Sequence, residues 1–383
     1  AAVYTLASVF SKGLAIITVP IFTRIMSTSE IGVVNLYNSW NSMLNAVVTL
    51  SLTSGGYSAA LKEFGKERDQ YQSSVLSLTS FVALIVALIY IICPSFWNGL
   101  TGLSTDLMVL MLIGFFVAPA YDFWLARQRY EYKYKLAGSL TAITALLASL
   151  CAVMIVLHMN AKELSDVANG RLYASNIVSY IIYGILWFII IFRGKTFFNK
   201  KYWKFSLQLS IPLIGYALAA QVLSVSDRMM ISKMVDNSAV GIYSTATKME
   251  KIISNVVSSI VFVLIPRLSY MFEAEDYNKI NMLLRKVLLT FITIGLPCYV
   301  GATILAKESI LIIAGKGYIE GALTLQILLI SFLFSLVGGS FLGNVVLLPS
   351  GNEKKFMIIC CISTIFNIIA NAFIIPLFGA NGA

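Results

Sequence analysis

Histidine is almost absent. The chain of 383 residues holds one, His158, with no Ser, Cys or acidic partner arranged around it. That argues against a histidine-based catalytic triad and against a histidine-rich metal centre. Cys93, Cys151, Cys298, Cys360 and Cys361 lie in or beside apolar runs. Their spacing fits neither a disulfide framework nor a zinc site, so they read as small packing residues. Charge is scarce as well: 12% of residues are charged, against roughly 25% in soluble domains. Acid is scarcer than base, with 18 Asp and Glu against 28 Lys and Arg. Alternating strands of about ten residues, the mark of a membrane β-barrel, are missing.

Apolar residues fill the space instead. They make up 58% of the chain, and the mean hydropathy is +0.83. Apolar runs of about 18 residues or more, long enough to cross a hydrocarbon core of about 30 Å, recur along the whole length. The fold class is therefore an all-α polytopic membrane protein. Eleven spans fit, at about 3–26, 31–61, 73–93, 107–126, 136–158, 171–192, 206–234, 238–270, 283–305, 321–348 and 356–378. The chain has no initiator Met and stops at the turn-like Gly379-Ala380-Asn381-Gly382-Ala383, which reads as the approach to a twelfth helix.

The loops between these spans alternate in charge. One set carries Lys62, Lys66, Arg68, Arg127, Arg129, Lys133, Lys135, Arg193, Lys195, Lys200, Lys201, Lys204, Arg267, Lys279, Arg285, Lys286, Lys354 and Lys355. The other carries only Lys162, Arg171, Lys307 and Lys316. Cytoplasmic loops hold the Lys/Arg excess, so the N-terminus is expected in the cytoplasm. This topology accounts for most of the net charge of +10, and no nucleic-acid partner is implied.

The six remaining cations, Lys12, Arg24, Arg228, Lys233, Lys248 and Lys251, fall inside spans. A cation at the bilayer centre costs roughly 3 kcal/mol or more and by default faces water or a partner. Arg24 and Lys233, near span ends, can also snorkel to the headgroups. Only Asp122, Asp227 and Glu250 stand opposite them as intramembrane carboxylates. The surplus of cations favours an anionic ligand such as a phosphate, which Arg and Lys recognise by charge-assisted hydrogen bonds. Asp227 and Glu250 are candidates to bind a coupling ion, H+ or Na+. No other cofactor and no metal is expected.

The halves repeat. At a constant offset of 209 residues, Arg24, Ser29 and Gly32 align with Lys233, Ser238 and Gly241. With six spans per half, the two repeats insert in the same orientation, a transporter architecture with the substrate between the halves. The domains are 1–193, a cytoplasmic linker 194–205, and 206–383. Asn35, Asn38, Ser42, Asn45 and Thr49 step by three or four residues along span 2 and share one helical face. Ser244, Lys248, Lys251, Asn255 and Ser258 do the same on span 8. Ser, Thr and Asn also hydrogen-bond membrane helices together. Repeated in both halves and joined by cations, the stripe reads as the wall of a hydrated cavity lined by spans 1, 2, 7 and 8.

The opening Val19-Pro20-Ile21-Phe22-Thr23-Arg24-Ile25-Met26-Ser27-Thr28-Ser29-Glu30-Ile31-Gly32 resembles the start of the Wzx-type polysaccharide flippases. So do Ser210-Ile211-Pro212-Leu213, Asp227-Arg228-Met229-Met230-Ile231 and Val240-Gly241-Ile242-Tyr243-Ser244-Thr245-Ala246-Thr247-Lys248. The family groups with the MurJ flippase and the MATE exporters in the MOP superfamily. The resemblance implies a V-shaped bundle of two six-helix lobes in a bacterial cytoplasmic membrane. It also implies an undecaprenyl-pyrophosphate-linked oligosaccharide as cargo, moved to the outer leaflet, with a polysaccharide polymerase and a chain-length regulator as partners. A MATE-like ion-coupled exporter of drugs is the alternative, although its cavity would be acidic rather than cationic. A membrane polymerase or ligase would need a long outer loop. The longest here, 159–170 and 306–320, are short and hold no catalytic constellation, so an enzyme is not expected.

Overall fold

The computed structural model describes residues 13–14, 17–53, 56–274, 277–347 and 349–383. Lys12 lies outside these. The described residues are helical almost throughout and contain no strand, as a lipid environment requires of a chain whose backbone must satisfy its own hydrogen bonds. Seven described helices are long and apolar enough to cross a membrane, and the protein is an all-α, multi-pass membrane protein. By contacts the chain divides into two compact units, Ala1–Met229 and Met230–Ala383.

The first unit starts with a helical segment over residues 17–25 (α1). It continues through α2 (Thr28–Val48), α3 (Gly56–Glu63), α4 (Arg68–Ile92), α5 (Pro94–Thr101), α6 (Thr105–Tyr130), α7 (Tyr134–Ala161), α8 (Val167–Gly194) and most of α9 (Lys200–Met234). Its aromatic core lies where α3, α4, α6 and α9 meet. Tyr57 stacks on Phe123 with centroids 5.0 Å apart, and Phe64 meets Tyr202 edge-on at 4.8 Å. Tyr71 and Ser206 share a hydrogen bond of 2.8 Å, and the Trp203 indole donates to the Ser74 carbonyl. These contacts tie the start of α9 to the first unit. The contact-based division therefore falls inside α9, later than the topological boundary at 194–205.

The second unit holds the end of α9, then α10 (Asn237–Glu273), α11 (Tyr277–Ile304), α12 (Ala306–Ile313), α13 (Gly321–Ser335) and α14 (Glu353–Phe378). The first helix after α12 does not stay α-helical: α13 widens into a π-helical run, Leu336–Leu347. Its core gathers Leu268, Val287, Phe291, Phe332 and Leu336. A short 3-10 turn, Gly379–Gly382, follows α14, and its Asn381 accepts a hydrogen bond from Thr324 at 2.6 Å.

The repeat read from the sequence recurs in the elements. Thr28 and Asn237 open α2 and α10, and these positions are 209 residues apart. Each start is capped by the residue before it. The Ser27 hydroxyl accepts from the Glu30 amide while Glu30 returns a bond to the Ser27 amide. The Asp236 carboxylate accepts from the Ala239 amide at 2.7 Å. Both are N-cap devices for the unpaired amides of a first turn. Arg68 and Tyr277, which open α4 and α11, keep the same offset.

Two features depart from the sequence reading. Span 2 was expected to run unbroken over 31–61, but it breaks after α2. Leu50 and Ser51 adopt φ of 50°, a left-handed conformation that L-residues rarely take, and helix resumes only at α3. Its counterpart α10 runs through without a break. The other departure is a pair of eight-residue helices, α5 and α12, where loops were expected. Gly102 (φ 69°) caps α5 and Gly315 (φ 92°) follows α12, backbone values that favour glycine.

Candidate functional site

The polar stripe of α2 splits in two. Asn38 and Ser42 are exposed and Asn45 is half-buried. Asn35 is not on an open wall: it is buried, and its amide donates to the Ile31 carbonyl at 2.7 Å. The buried amide is satisfied locally, because an Asn one turn into a helix can bond back to its own backbone. The hydroxyls behave likewise. Ser42 bonds to the Asn38 carbonyl and Thr49 to the Asn45 carbonyl, both at 2.8 Å. Asn45 Oδ1 is buried with no hydrogen-bond partner among the described residues.

The stripe of α10 carries its cations outward. Lys248, Lys251 and Asn255 are exposed and step by three and four residues, so they share one face. Ser244, one turn earlier on the same face, is buried at 1% exposure, so the open part of the stripe begins at Lys248. The side chain of Ser258 lies outside the described residues. Glu250 is half-buried and accepts a short hydrogen bond from the Ser254 hydroxyl.

Of the other intramembrane charges, Asp122 is half-buried within α6 and Asp227 and Arg228 lie about two turns before the end of α9. Arg24 and Lys233 are exposed, and Asp227 is half-buried. Arg228 turns back along its own helix, with Nη1 donating to the Ser224 carbonyl at 3.1 Å. Arg171, expected as a loop cation, is built into the first unit. Its guanidinium lies 3.5 Å from the centroid of the Phe22 ring, a cation–π contact that joins α1 to the start of α8.

A second polar site was not foreseen. At one end of the first unit the ends of α4, α6 and α8 converge on a charged network. Arg127 Nη1 donates to Asp69 Oδ1 at 2.5 Å and to Gln72 Oε1 at 2.8 Å. Arg127 Nε donates to Glu131 Oε1 at 2.8 Å, and Lys133 Nζ to Glu131 Oε2 at 2.7 Å. Arg193 Nε reaches Asp69 Oδ2 at 3.0 Å. Three loops assigned to one side by their Lys/Arg excess thus meet in space. The signal in the sequence was the acids set among the loop cations, Asp69 (with Glu63 and Glu67 nearby) and Glu131, four residues after Arg127. Counting cations alone passes over it.

Among the described residues no cluster of His, Cys, Asp and Glu could hold a metal ion.

Residues 1–272 match the family described as polysaccharide biosynthesis protein. A search of the curated proteins finds no match. Among solved structures, the chain is similar to the lipid II flippase MurJ in an inward closed conformation, with a TM-score of 0.79 at 18% identity, over 100% of this chain and 83% of that one. It is also similar to an inward-facing multidrug resistance MATE transporter of the MOP superfamily, with a TM-score of 0.67 at 13% identity, over 97% of this chain and 88% of that one. A MOP superfamily transporter from Pyrococcus furiosus, whose binding pocket is described as reversed in polarity, aligns with a TM-score of 0.54 at 12% identity, over 100% of this chain and 86% of that one. At such identities these likenesses speak for the fold. The family match covers most of the chain and speaks for descent: this protein belongs to the polysaccharide biosynthesis protein family and has the fold of the MOP-superfamily flippases and transporters.

Proposed function

We propose that the chain is a flippase that carries an undecaprenyl-pyrophosphate-linked oligosaccharide from the inner to the outer leaflet of a bacterial cytoplasmic membrane, and is not itself an enzyme. The observation that carries the reading is the exposed cationic face of α10, Lys248 and Lys251 with Asn255, on a helix of a membrane protein from a polysaccharide family. A diphosphate needs such donors to leave the headgroup region. Asn38, Ser42 and Asn45 of α2, with Arg24, Arg228 and Lys233, supply further polar and cationic groups toward sugar and phosphate. Lys12 has the same assignment from its depth in span 1. Asp227 and Glu250 are the candidates for a coupling ion.

The two parallel repeats suit alternating access. In this reading the Lys/Arg-rich loops, and with them the N-terminus, face the cytoplasm. Polymerase and chain-length regulator would act next, on the delivered unit at the outer face. Lipid extraction from a deletion strain tests the proposal. One lipid-linked oligosaccharide should accumulate, and its composition would name the cargo. No such accumulation, with heightened drug sensitivity in its place, would point to a MATE-like exporter.

A further inference from the structure

The charged network at the ends of α4, α6 and α8 has more donors than acceptors. All four carboxylate oxygens are already taken: Asp69 by Arg127 and Arg193, Glu131 by Arg127 and Lys133. The orientation of the Gln72 amide follows from chemistry, since Arg127 can only donate and so must face Oε1. Gln72 Nε2 is then a pure donor. It is buried, with the residue 2% exposed, and has no partner among the described residues. A buried donor of this kind calls for an acceptor. Gln72, Gln128, Arg127, Lys133 and Arg193 line one small pocket of about 50 Å³ together with Asp69 and Glu131, each of whose oxygens already accepts one of these bonds. That volume admits more than a single water. Three cations against two anions leave the pocket positive.

The remaining wall is apolar: Trp124, Ile189 and Ile190. Ile189 belongs to a run of exposed apolar side chains on α8, with Ile181, Ile185, Phe188 and Phe192. Their spacing makes a face on α8 that leads to Arg193. Exposed apolar residues on a membrane helix are turned to lipid. The pocket therefore lies where such a face leaves the hydrocarbon and meets charge.

We propose that this pocket holds the phosphate of an anionic phospholipid of the leaflet on the Lys/Arg-rich side, with an acyl chain along the exposed face of α8. Gln72 Nε2 supplies the buried hydrogen bond, and Arg193 and Lys133 supply the mobile charge. The site lies wholly within the first unit and is separate from the cargo site proposed above. A bound lipid would brace the three helix ends against one another without itself being carried across.

The test uses the purified full-length protein in neutral detergent, titrated with phosphatidylglycerol, phosphatidylcholine or inorganic phosphate. Binding is read by native mass spectrometry and by the shift in thermal unfolding that each additive causes. Phosphatidylglycerol should bind and stabilise, and phosphatidylcholine and inorganic phosphate should do so much less. The double variant Arg193→Gln/Lys133→Gln should bind phosphatidylglycerol about tenfold more weakly, the size expected for losing a charge-assisted hydrogen bond. The triple variant Lys200→Gln/Lys201→Gln/Lys204→Gln, on the neighbouring basic stretch, should keep the affinity. If the double variant does not fold, Lys133→Gln alone carries the test, because Lys133 is exposed and bonds only Glu131. Unchanged phosphatidylglycerol binding in the pocket variant would overturn the proposal, as would a loss confined to the triple variant. Equal protection by inorganic phosphate would overturn the lipid as source.

Discussion

A β-carbon on Gly194 would sit 2.2 Å from the carbonyl oxygen of Asp69 and 2.3 Å from the β-carbon of Ser73. The last residue of α8 thus touches the first turns of α4 with no room for a side chain. This approach is what lets the preceding residue, Arg193, reach Asp69, and the next, Lys195, turns the chain away at φ 48°.

Gly194→Ala is therefore expected to destabilise the protein by about 1–3 kcal/mol, the usual cost of overpacking, because the obstacle is backbone and cannot swing aside. Thermal unfolding in detergent measures it. Gly184→Ala is the control: a β-carbon there meets nothing within 4 Å, and it should leave stability unchanged or raise it slightly through helix propensity.

Lys248→Ala and Lys251→Ala should abolish surface polymer while leaving protein levels normal, since both side chains are exposed and their removal opens no core. Lys12→Ala is expected to do the same from its place in span 1. Asn35→Ala should behave in the opposite way. Its buried amide is bonded within α2, so about 1 kcal/mol of stability is lost while transport per folded molecule is kept. Polymer yield divided by membrane protein level separates the two classes. Normal yield from Lys248→Ala would remove that residue from the cargo path.

Glu131 predicts a pH dependence. Burial works against its carboxylate, but hydrogen bonds from Lys133 and Arg127 outweigh that and bring its pKa from 4.5 down to about 2. A carboxylate whose pKa is depressed on folding stabilises the fold fully above its unfolded pKa and loses that contribution as the pH falls through the folded one. Wild type should therefore exceed Glu131→Gln in stability by a constant margin above about pH 4.5. That margin should shrink steadily toward pH 2. A margin independent of pH would show that the pair is not formed in solution.

Transport should respond to voltage. A diphosphate carries about two negative charges, and an inside-negative potential favours its outward passage by roughly 2.3 kcal/mol per charge per 100 mV. In proteoliposomes, flipping should accelerate when the side equivalent to the cytoplasm is made negative. Rates indifferent to both potential and ion gradients would describe a passive scramblase.

Several of these features could be read before any coordinates. The 209-residue offset that pairs Arg24 with Lys233 reappears in the caps at Ser27 and Asp236, because a cap is a local device written in one or two side chains. The alternation of loop charge reappears as the meeting of Asp69, Arg127 and Arg193, because topology is a global constraint that each loop obeys. What failed to show was local in backbone but non-local in cause. Nothing between Asn45 and Gly55 except Thr and Ser interrupts the apolar run, so the left-handed residues Leu50 and Ser51 leave no sign in it. Asn35 and Asn38 are identical as letters. One is buried and the other open because of which neighbours α2 meets, and periodicity alone cannot assign that. The Gln72 donor became visible only once Arg127 was seen to occupy its carbonyl.

The polarity of α2 also has a consequence for how the protein is made. Seven described helices are long and apolar enough to cross a membrane. α2 is described throughout and is not one of them, since it carries Asn35, Asn38, Asn41 and Asn45 within 21 residues. Polar side chains on a membrane helix are costly in hydrocarbon, and partner helices that bond or cover them lower that cost. One of those partners is α8, where Tyr180 meets the Tyr37 hydroxyl at 3.4 Å across 143 residues of chain. At 5–20 residues per second, ribosomes take roughly 7–30 s to supply it. Over that interval α2 lacks the partner that meets Tyr37, so the yield of this protein in a cell is expected to depend on how quickly its first half is synthesised.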